Sequence, residues 1–354
     1  MRLFLFILIL LPAACSNQSD TSHILPAKGK SVEGISSSIR HIHFDKEGTG
    51  WFGTNSGLYT FHNNGFEKVD LEAGSQNAPI FDVIQDNAGN FWIGSQDGLF
   101  FKERTNQDFV QVEIPFSDTT GLWLDKVYPI INPNAVHSLH QDREGLIWVG
   151  TCGAGIYQFD PMKPQLKNSY TFRQFLHDGG ALQEDGLHHN WISDITEDSQ
   201  GNIWVSSMTR GGATKYDGSS FRTYMPEDGL STDMVRTVYE DHDGTLWFGF
   251  KGNPGDGITK LENGEFQTFR KEDGLCNIQT RTFFQDRKDR LWIAGDLGNV
   301  CIFEDGVFRE FTFNGNPIPG VVIITEDAEG SIWLGGKEGL WRIKDEELTN
   351  FRKN

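Results

Sequence analysis

Apolar and polar residues alternate in short runs along the chain, and the spacing of an amphipathic helix is absent. Val136-His-Ser-Leu139-His-Gln-Asp142 is representative: a strand-like run that ends on an Asp. Six residues after that Asp stands Trp148. The same Asp/Trp spacing recurs at Asp45/Trp51, Asp86/Trp92, Asp198/Trp204, Asp241/Trp247, Asp286/Trp292 and Asp327/Trp333. Successive Trp residues are 41, 56, 56, 43, 45 and 41 positions apart. A period of roughly 40–45 residues with short strands and a Gly/Trp signature predicts propeller blades of four strands each. Seven copies predict an all-β fold: a single seven-bladed β-propeller with four antiparallel strands per blade.

Each unit has a physical logic. The Asp opens a tight turn by accepting the backbone N–H two residues on. The Gly three residues after it (Gly48, Gly89, Gly145, Gly201, Gly244, Gly330) suits a positive φ. The sixth unit has Asp289 there, and Asp tolerates that region better than most residues. The Trp lies on the second strand and is expected to wedge between neighbouring blades. Gly-Leu or Gly-Ile pairs, such as Gly57-Leu58 and Gly155-Ile156, open the third strand. Aromatic pairs such as Phe221/Tyr224 and Phe266/Phe269 mark the outer strand. Glu-Asp-Gly-Leu linkers at 184–187, 227–230 and 272–275 lead to the next blade.

The combination E-D-G-L…V-x-x-[IV]-x-x-D-x-x-G-x-x-W-[VIF]-G-T-x-x-G-[LI] resembles the two-component regulator propeller repeat, over residues 36–352. That family supplies the periplasmic sensor part of many bacterial hybrid histidine kinases. Such sensors commonly carry two propellers, a small β-sandwich, a membrane helix and a kinase. This sequence ends after one propeller, so the expectation is a protein without a kinase of its own. The motif differs from the Asp-box of sialidases, D-x-G-x-x-W, which weakens a glycosidase reading.

The net charge of −18 argues against nucleic acid, whose binding depends on Lys and Arg neutralising phosphate. At the N-terminus, Arg2 precedes the apolar run Leu3–Leu11, which is too short to span a bilayer. Leu11-Pro-Ala-Ala-Cys15 follows and resembles a bacterial lipobox. The expected organisation is a lipoprotein signal over 1–15 with Cys15 acylated, a polar tether over 16–33, and the propeller over 34–354. The predicted location is the bacterial cell envelope, through a lipid anchor only, and Ser16 leans toward the outer membrane by resemblance to known sorting behaviour. Three cysteines remain, Cys152, Cys276 and Cys301. With one of the latter two in a linker and the other on a strand, no disulfide is expected.

Two stretches exceed the repeat, 116–135 and 176–191, and both fall on the face that carries the linkers. A ligand site is expected there, at the channel mouth. Five residues before each Asp stand Arg40, Phe81, His137, Ser193, Arg236, Arg281 and Val322, where the innermost strand begins. Three Arg and a His around a channel could hold an acidic sugar or a peptide carboxylate. Alternatively each Arg satisfies a neighbouring blade's Asp or carbonyl. Asp82 and Asp194 are candidate partners for those Arg, and the candidate ligand-binding set is Arg40, His137, Trp191, Asp194, Arg236 and Arg281. Trp123 and Trp191 fall outside the wedge positions and suit sugar stacking, a protein contact, or packing between inserted loops. The adjacent His188 and His189 make poor co-ligands, and no metal site or cofactor is expected.

The leading expectation is a monomeric, non-enzymatic envelope protein that binds an oligosaccharide, a peptide or an envelope protein. The alternatives are an enzyme of the streptogramin-lyase type, with His137 and Asp194 the one pair to nominate, and a protein-interaction scaffold. For closure of the ring, direct packing of blade 7 on blade 1 is expected. Leu348–Phe351 would supply the last outer strand, with an added strand from 22–33 as the alternative.

Overall fold

The fixed Asp/Trp spacing has a structural cause. In all seven repeats one Asp oxygen accepts the backbone N–H four residues on, at 2.8–3.0 Å. The other accepts the indole N–H of the Trp at 2.7–2.9 Å. The bond two residues on is also present, for example from Gln200 to Asp198 at 3.0 Å. The turn thus locks the orientation of the ring that follows it. The turn glycines take φ of +83° to +88°, and Asp289 adopts +61° in the same place.

The computed structural model describes residues 34–352, except 36, 72–74, 107, 116–131, 133, 165–168, 176–190, 210, 253–256 and 277–278. The expectations for Cys15, the tether, residues 22–33, Trp123, His188 and His189 therefore lie outside the described residues, as does most of both inserted stretches.

Seven four-stranded antiparallel sheets are present, each with its strands in sequence order from the inside out. A small extra hairpin, Thr312–Phe313 with Asn316–Pro317, stands between blades 6 and 7. The innermost strands neighbour one another around the ring and enclose the channel. Apolar clusters fill the spaces between blades, and each Trp points into the space shared with the next blade. Trp92 packs on Val136, Leu139 and Phe159 of blade 3, and Trp148 on Ile192, Ile195 and Tyr216 of blade 4. The Gly two residues after the Trp lets blades approach closely. A Cβ on Gly150 would lie 2.6 Å from the Ile192 side chain.

Adjacent blades are also clipped together by hydrogen bonds. The residue before each Asp accepts the N–H that follows the previous blade's Asp: Gln85 from Lys46, Gln141 from Asn87, Glu197 from Arg143, Glu240 from Ser199, Gln285 from His242 and Glu326 from Arg287, at 2.5–3.1 Å. Only the seam departs, where Phe44 takes that position and packs on Trp333 at 5.5 Å.

Closure follows the direct route. Glu347–Asn350 forms the outer strand of blade 7, and Phe351 stacks on Trp333 at 5.3 Å. One backbone bond, Ile35 N–H to Phe351 carbonyl at 3.1 Å, ties the start of the chain to its end.

Two local features were not anticipated. The Glu-Asp-Gly-Leu linkers at 227–230 and 272–275 fold as single 3-10 turns. Their Asp accepts the N–H of the residue before the turn, Met225 or Arg270, at 2.8 Å, and Leu230 and Leu275 are buried. The second feature overturns an expectation: Cys276 and Cys301 form a disulfide, with Cα atoms 5.3 Å apart and 25 residues between them in sequence. The linker into blade 6 passes the start of that blade's third strand, so a linker residue and a strand residue do meet. Cys152 stays free and buried, and burial raises its thiol to about 11.

Candidate functional site

The site begins with a backbone irregularity. In six blades the innermost strand carries a β-bulge, and the unpaired residue is the one five positions before the Asp. Ile39 pairs with Thr54 and His41 with Gly53, which leaves Arg40 extra. The same slip isolates Phe81, His137, Arg236, Arg281 and Val322. A bulge re-aims its side chains, so the unpaired residue and the next one both turn toward the channel. They line one cavity of about 490 Å³, which holds Arg40, Phe81, His137, Ser193, Arg236, Arg281 and Val322 together with Trp191 and Asp194. The ring read from the aligned repeats is thus a real ring. In blade 4 the strand starts without a bulge, at Asp194, and Ser193 donates to the Ser206 carbonyl at 2.9 Å.

A second ring stands beside it, four residues after each Trp. Its N–H donates to the carbonyl just ahead of the bulge: Asn55 to Ser38, Lys251 to Met234, Asp296 to Gln279 and Lys337 to Gly320, at 3.0–3.1 Å. Met208 and Lys251 from this ring line the cavity. Asp296 is the centre of charge. It pairs with Arg236, with Lys337 at 3.0 Å and with Arg281 at 3.8 Å. Burial by itself would raise the Asp296 carboxyl, but attraction to Arg236 and Arg281 outweighs it and holds the group at about 2. Burial lowers Arg281 to about 10, with Arg236 and Arg40 adding like-charge repulsion. Arg40 is lowered by burial too; its guanidinium bonds the Asn55 side chain and lies 5.0 Å over the Phe81 ring. Among the described residues, no carboxylate lies within ion-pair distance of Arg40.

Asp82 and Asp194 do not pair with the arginines, contrary to expectation. They act as clips between inner strands. Asp82 accepts the N–H of Leu139 in the next blade at 2.7 Å. Asp194 accepts the Thr237 hydroxyl at 2.8 Å and the Val238 N–H at 3.3 Å. The nominated His137 and Asp194 do face the same cavity, without a hydrogen bond between them. His137 packs instead on the Phe81 ring at 4.3 Å, and on that of Trp191 at 6.3 Å. Burial, then Arg40 and Arg281, lower His137 to about 4, so the imidazole is neutral at pH 7.

Burial also raises Asp82 from 3.8 to about 7, against the pull of its Leu139 and Val83 N–H donors. His41, 3.3 Å from it, is lowered by burial to about 4. The spacing is that of an ion pair, but burial drives both groups toward their neutral forms. Between pH 4 and 7 the folded state holds a proton on Asp82 that the unfolded chain releases. Its contribution is therefore present at low pH and is lost as pH rises through about 7. Asp82→Asn removes this titration. The stability of the wild type relative to Asp82→Asn should accordingly fall between pH 4.5 and 7.5 in urea titrations. A gap that stays constant or widens toward pH 7.5 would count against a raised Asp82.

A family model for the two-component regulator propeller matches residues 130–153, 186–209 and 229–252. No curated protein matches the chain. Among solved structures, the extracellular domain of the putative hybrid two-component system BT3049 from B. thetaiotaomicron is 19% identical with a TM-score of 0.67. The match covers 90% of this chain, which spans only 39% of that one. A catalytically inactive variant of virginiamycin B lyase from Staphylococcus aureus, solved with quinupristin, is 14% identical with a TM-score of 0.63, over 88% of this chain and 95% of that one. PorZ, a surface component of the type-IX secretion system of Porphyromonas gingivalis, is 14% identical with a TM-score of 0.60, over 93% of this chain and 48% of that one. These likenesses establish a shared fold. Three of the seven repeats thus match the family model of the two-component regulator propeller, and the Asp/Trp unit that carries the likeness is present in all seven.

Proposed function

We propose that the protein is a non-enzymatic binding module of the bacterial envelope, acting in sensing or assembly as a monomer. Its site is the channel mouth, and its ligand carries an anionic group. One observation carries this reading: Arg40, Arg236 and Arg281 converge on one cavity, with Asp296 the carboxylate that pairs with Arg236 and Arg281. Desolvated cations stacked against like charge are costly unless paired. A bound anion would relieve that cost, in a chain whose overall charge of −18 otherwise repels anions. Attachment through an acylated Cys15 belongs to the same proposal, supported by the lipobox-like Leu11–Cys15. No helix among the described residues is long and apolar enough to cross a membrane. If Cys15→Ser protein stays in the membrane fraction, the anchor drops out of the proposal.

A thermal-shift screen of the mature chain tests the site, with D-galacturonate, peptides with free C-termini, neutral oligosaccharides and divalent cations as probes. An anionic ligand at 100 times its dissociation constant should stabilise the fold by about 2.7 kcal/mol. Arg281→Gln should weaken that ligand by roughly tenfold or more, the size of a lost charge-assisted contact. Stabilisation by an anion that survives in both Arg281→Gln and Arg40→Gln would refute the site. A shift with Ca²⁺ or Mg²⁺ alone would favour the enzyme reading.

A further inference from the structure

The hydrogen-bonding side chains of the cavity are mostly committed to the fold. Ser138 Oγ accepts the Ile195 N–H at 3.0 Å. Asp82 and Asp194 accept the Leu139 and Val238 N–H groups of the following blades. Thr237 donates to Asp194 at 2.8 Å, and Ser193 Oγ is held by Ser206 Oγ at 2.9 Å. Groups that could read several hydroxyls on a ligand are thus spent on holding inner strands together.

The rest of the lining is divided between two sides of the ring. Blades 5, 6 and 1 present guanidinium groups. Blades 2 to 4 present Phe81, His137, Trp191 and Met208, with the Phe81 and His137 rings 4.3 Å apart. Arg40 lies over Phe81 at 5.0 Å, so the two surfaces meet there. The cavity is about 490 Å³, room for one or two residues of a peptide. A ligand suited to this division has one carboxylate, an aromatic or aliphatic body beside it, and few hydroxyls.

We propose that the channel mouth captures the C-terminal residue of a peptide, with the terminal carboxylate on Arg281, Arg236 and Arg40 and an aromatic or large aliphatic side chain against Phe81, His137 and Met208. Planar guanidinium groups match a carboxylate in bidentate geometry. The rings supply apolar area and edge or face contacts to the side chain. Asp296 sets the selectivity: it already occupies one anionic position among the cations, so the site takes a single carboxylate in preference to a multiply charged ligand. This inference rests on the anion-site reading above and narrows its ligand.

Isothermal titration of the mature chain tests it with three probes: N-acetyl-alanyl-phenylalanine as the free acid, the same dipeptide as its C-terminal amide, and D-galacturonate. The free acid should bind at least about tenfold more tightly than either of the others. Arg281→Gln should remove the preference for acid over amide, and Phe81→Ala should weaken the acid without affecting galacturonate. Arg40→Gln serves in place of Arg281→Gln if the latter does not fold, as judged by circular dichroism. Equal binding of acid and amide would overturn the inference. Tighter, Arg281-dependent binding of galacturonate would overturn it too, while leaving the anion site standing. If neither anion binds in an Arg281-dependent way, both readings fall.

Discussion

Trp148→Ala is expected to destabilise the protein by about 3–5 kcal/mol, the range for removing a large buried aromatic. Trp148 is 1% exposed and fills the space between blades 3 and 4. Its ring stacks on Phe175 at 5.6 Å with planes 16° apart, and contacts Tyr216 at 5.8 Å. Alanine would leave a void that rigid strands cannot close, and would strip the buried Asp142 of a 2.7 Å indole donor. Both losses fall on the same pair of blades, and the turn that Asp142 organises would loosen with them. A urea titration measures the effect as a lower midpoint at unchanged slope. Trp148→Phe separates the parts: it keeps most of the buried area and loses only the indole donor. It should therefore cost clearly less, about 1.5–3 kcal/mol. A loss below about 1 kcal/mol for Trp148→Ala would mean that the Trp is not the wedge between blades.

Removing the disulfide is the second large effect. Cys276 and Cys301 are 25 residues apart, and closing a loop of that size in the unfolded chain is worth about 3.5 kcal/mol in the chain-entropy account. The Cys276→Ser/Cys301→Ser variant should therefore unfold at lower denaturant by that amount, and reductant should shift the wild type to match it. Cys152 offers no competing partner, being buried with its thiol pushed up to about 11. A double-serine variant as stable as the oxidised wild type would show that the bridge contributes nothing. The bridge also matters for the site. It fixes the linker that leads into Arg281 to the third strand of blade 6, and the Gln279 carbonyl in that linker holds the Asp296 N–H at 3.0 Å. Loss of the disulfide should therefore be felt at the channel mouth as well as in stability.

Much of the fold was legible in the sequence because its determinants are local. The Asp turn, the following glycine and the Trp lie within seven residues of one another, so each repeat carries its own instructions. Even the exception was readable: Asp289 adopts the positive φ that the other units give to Gly. Alignment on the Asp also brought the seven channel-mouth positions into register, although the reason for their inward aim, a bulge, is invisible in a hydrophobic pattern. The same alignment, carried to four residues past the Trp, would have placed Asp296 and Lys337 beside the arginines. The signal is present in the spacing.

The contacts that depart from expectation share one cause. Charge alone makes Asp194 a candidate partner for arginine, but its carboxylate accepts the Val238 N–H and the Thr237 hydroxyl of the next blade's inner strand. Element types set Cys276 and Cys301 apart, yet the linker meets the third strand. By itself the sequence determined the number of blades, the wedge that separates them and the turn that orients each wedge, since all three follow from contacts a few residues apart. The tertiary structure alone decided which carboxylate sits among which cations and which polar groups are spent on the backbone. Most of those contacts, such as Arg236 to Asp296, Asp82 to Leu139 and Asp194 to Val238, join residues more than 40 positions apart across blade boundaries, and they exist only once the ring has closed and burial has set the cost of every unpaired group.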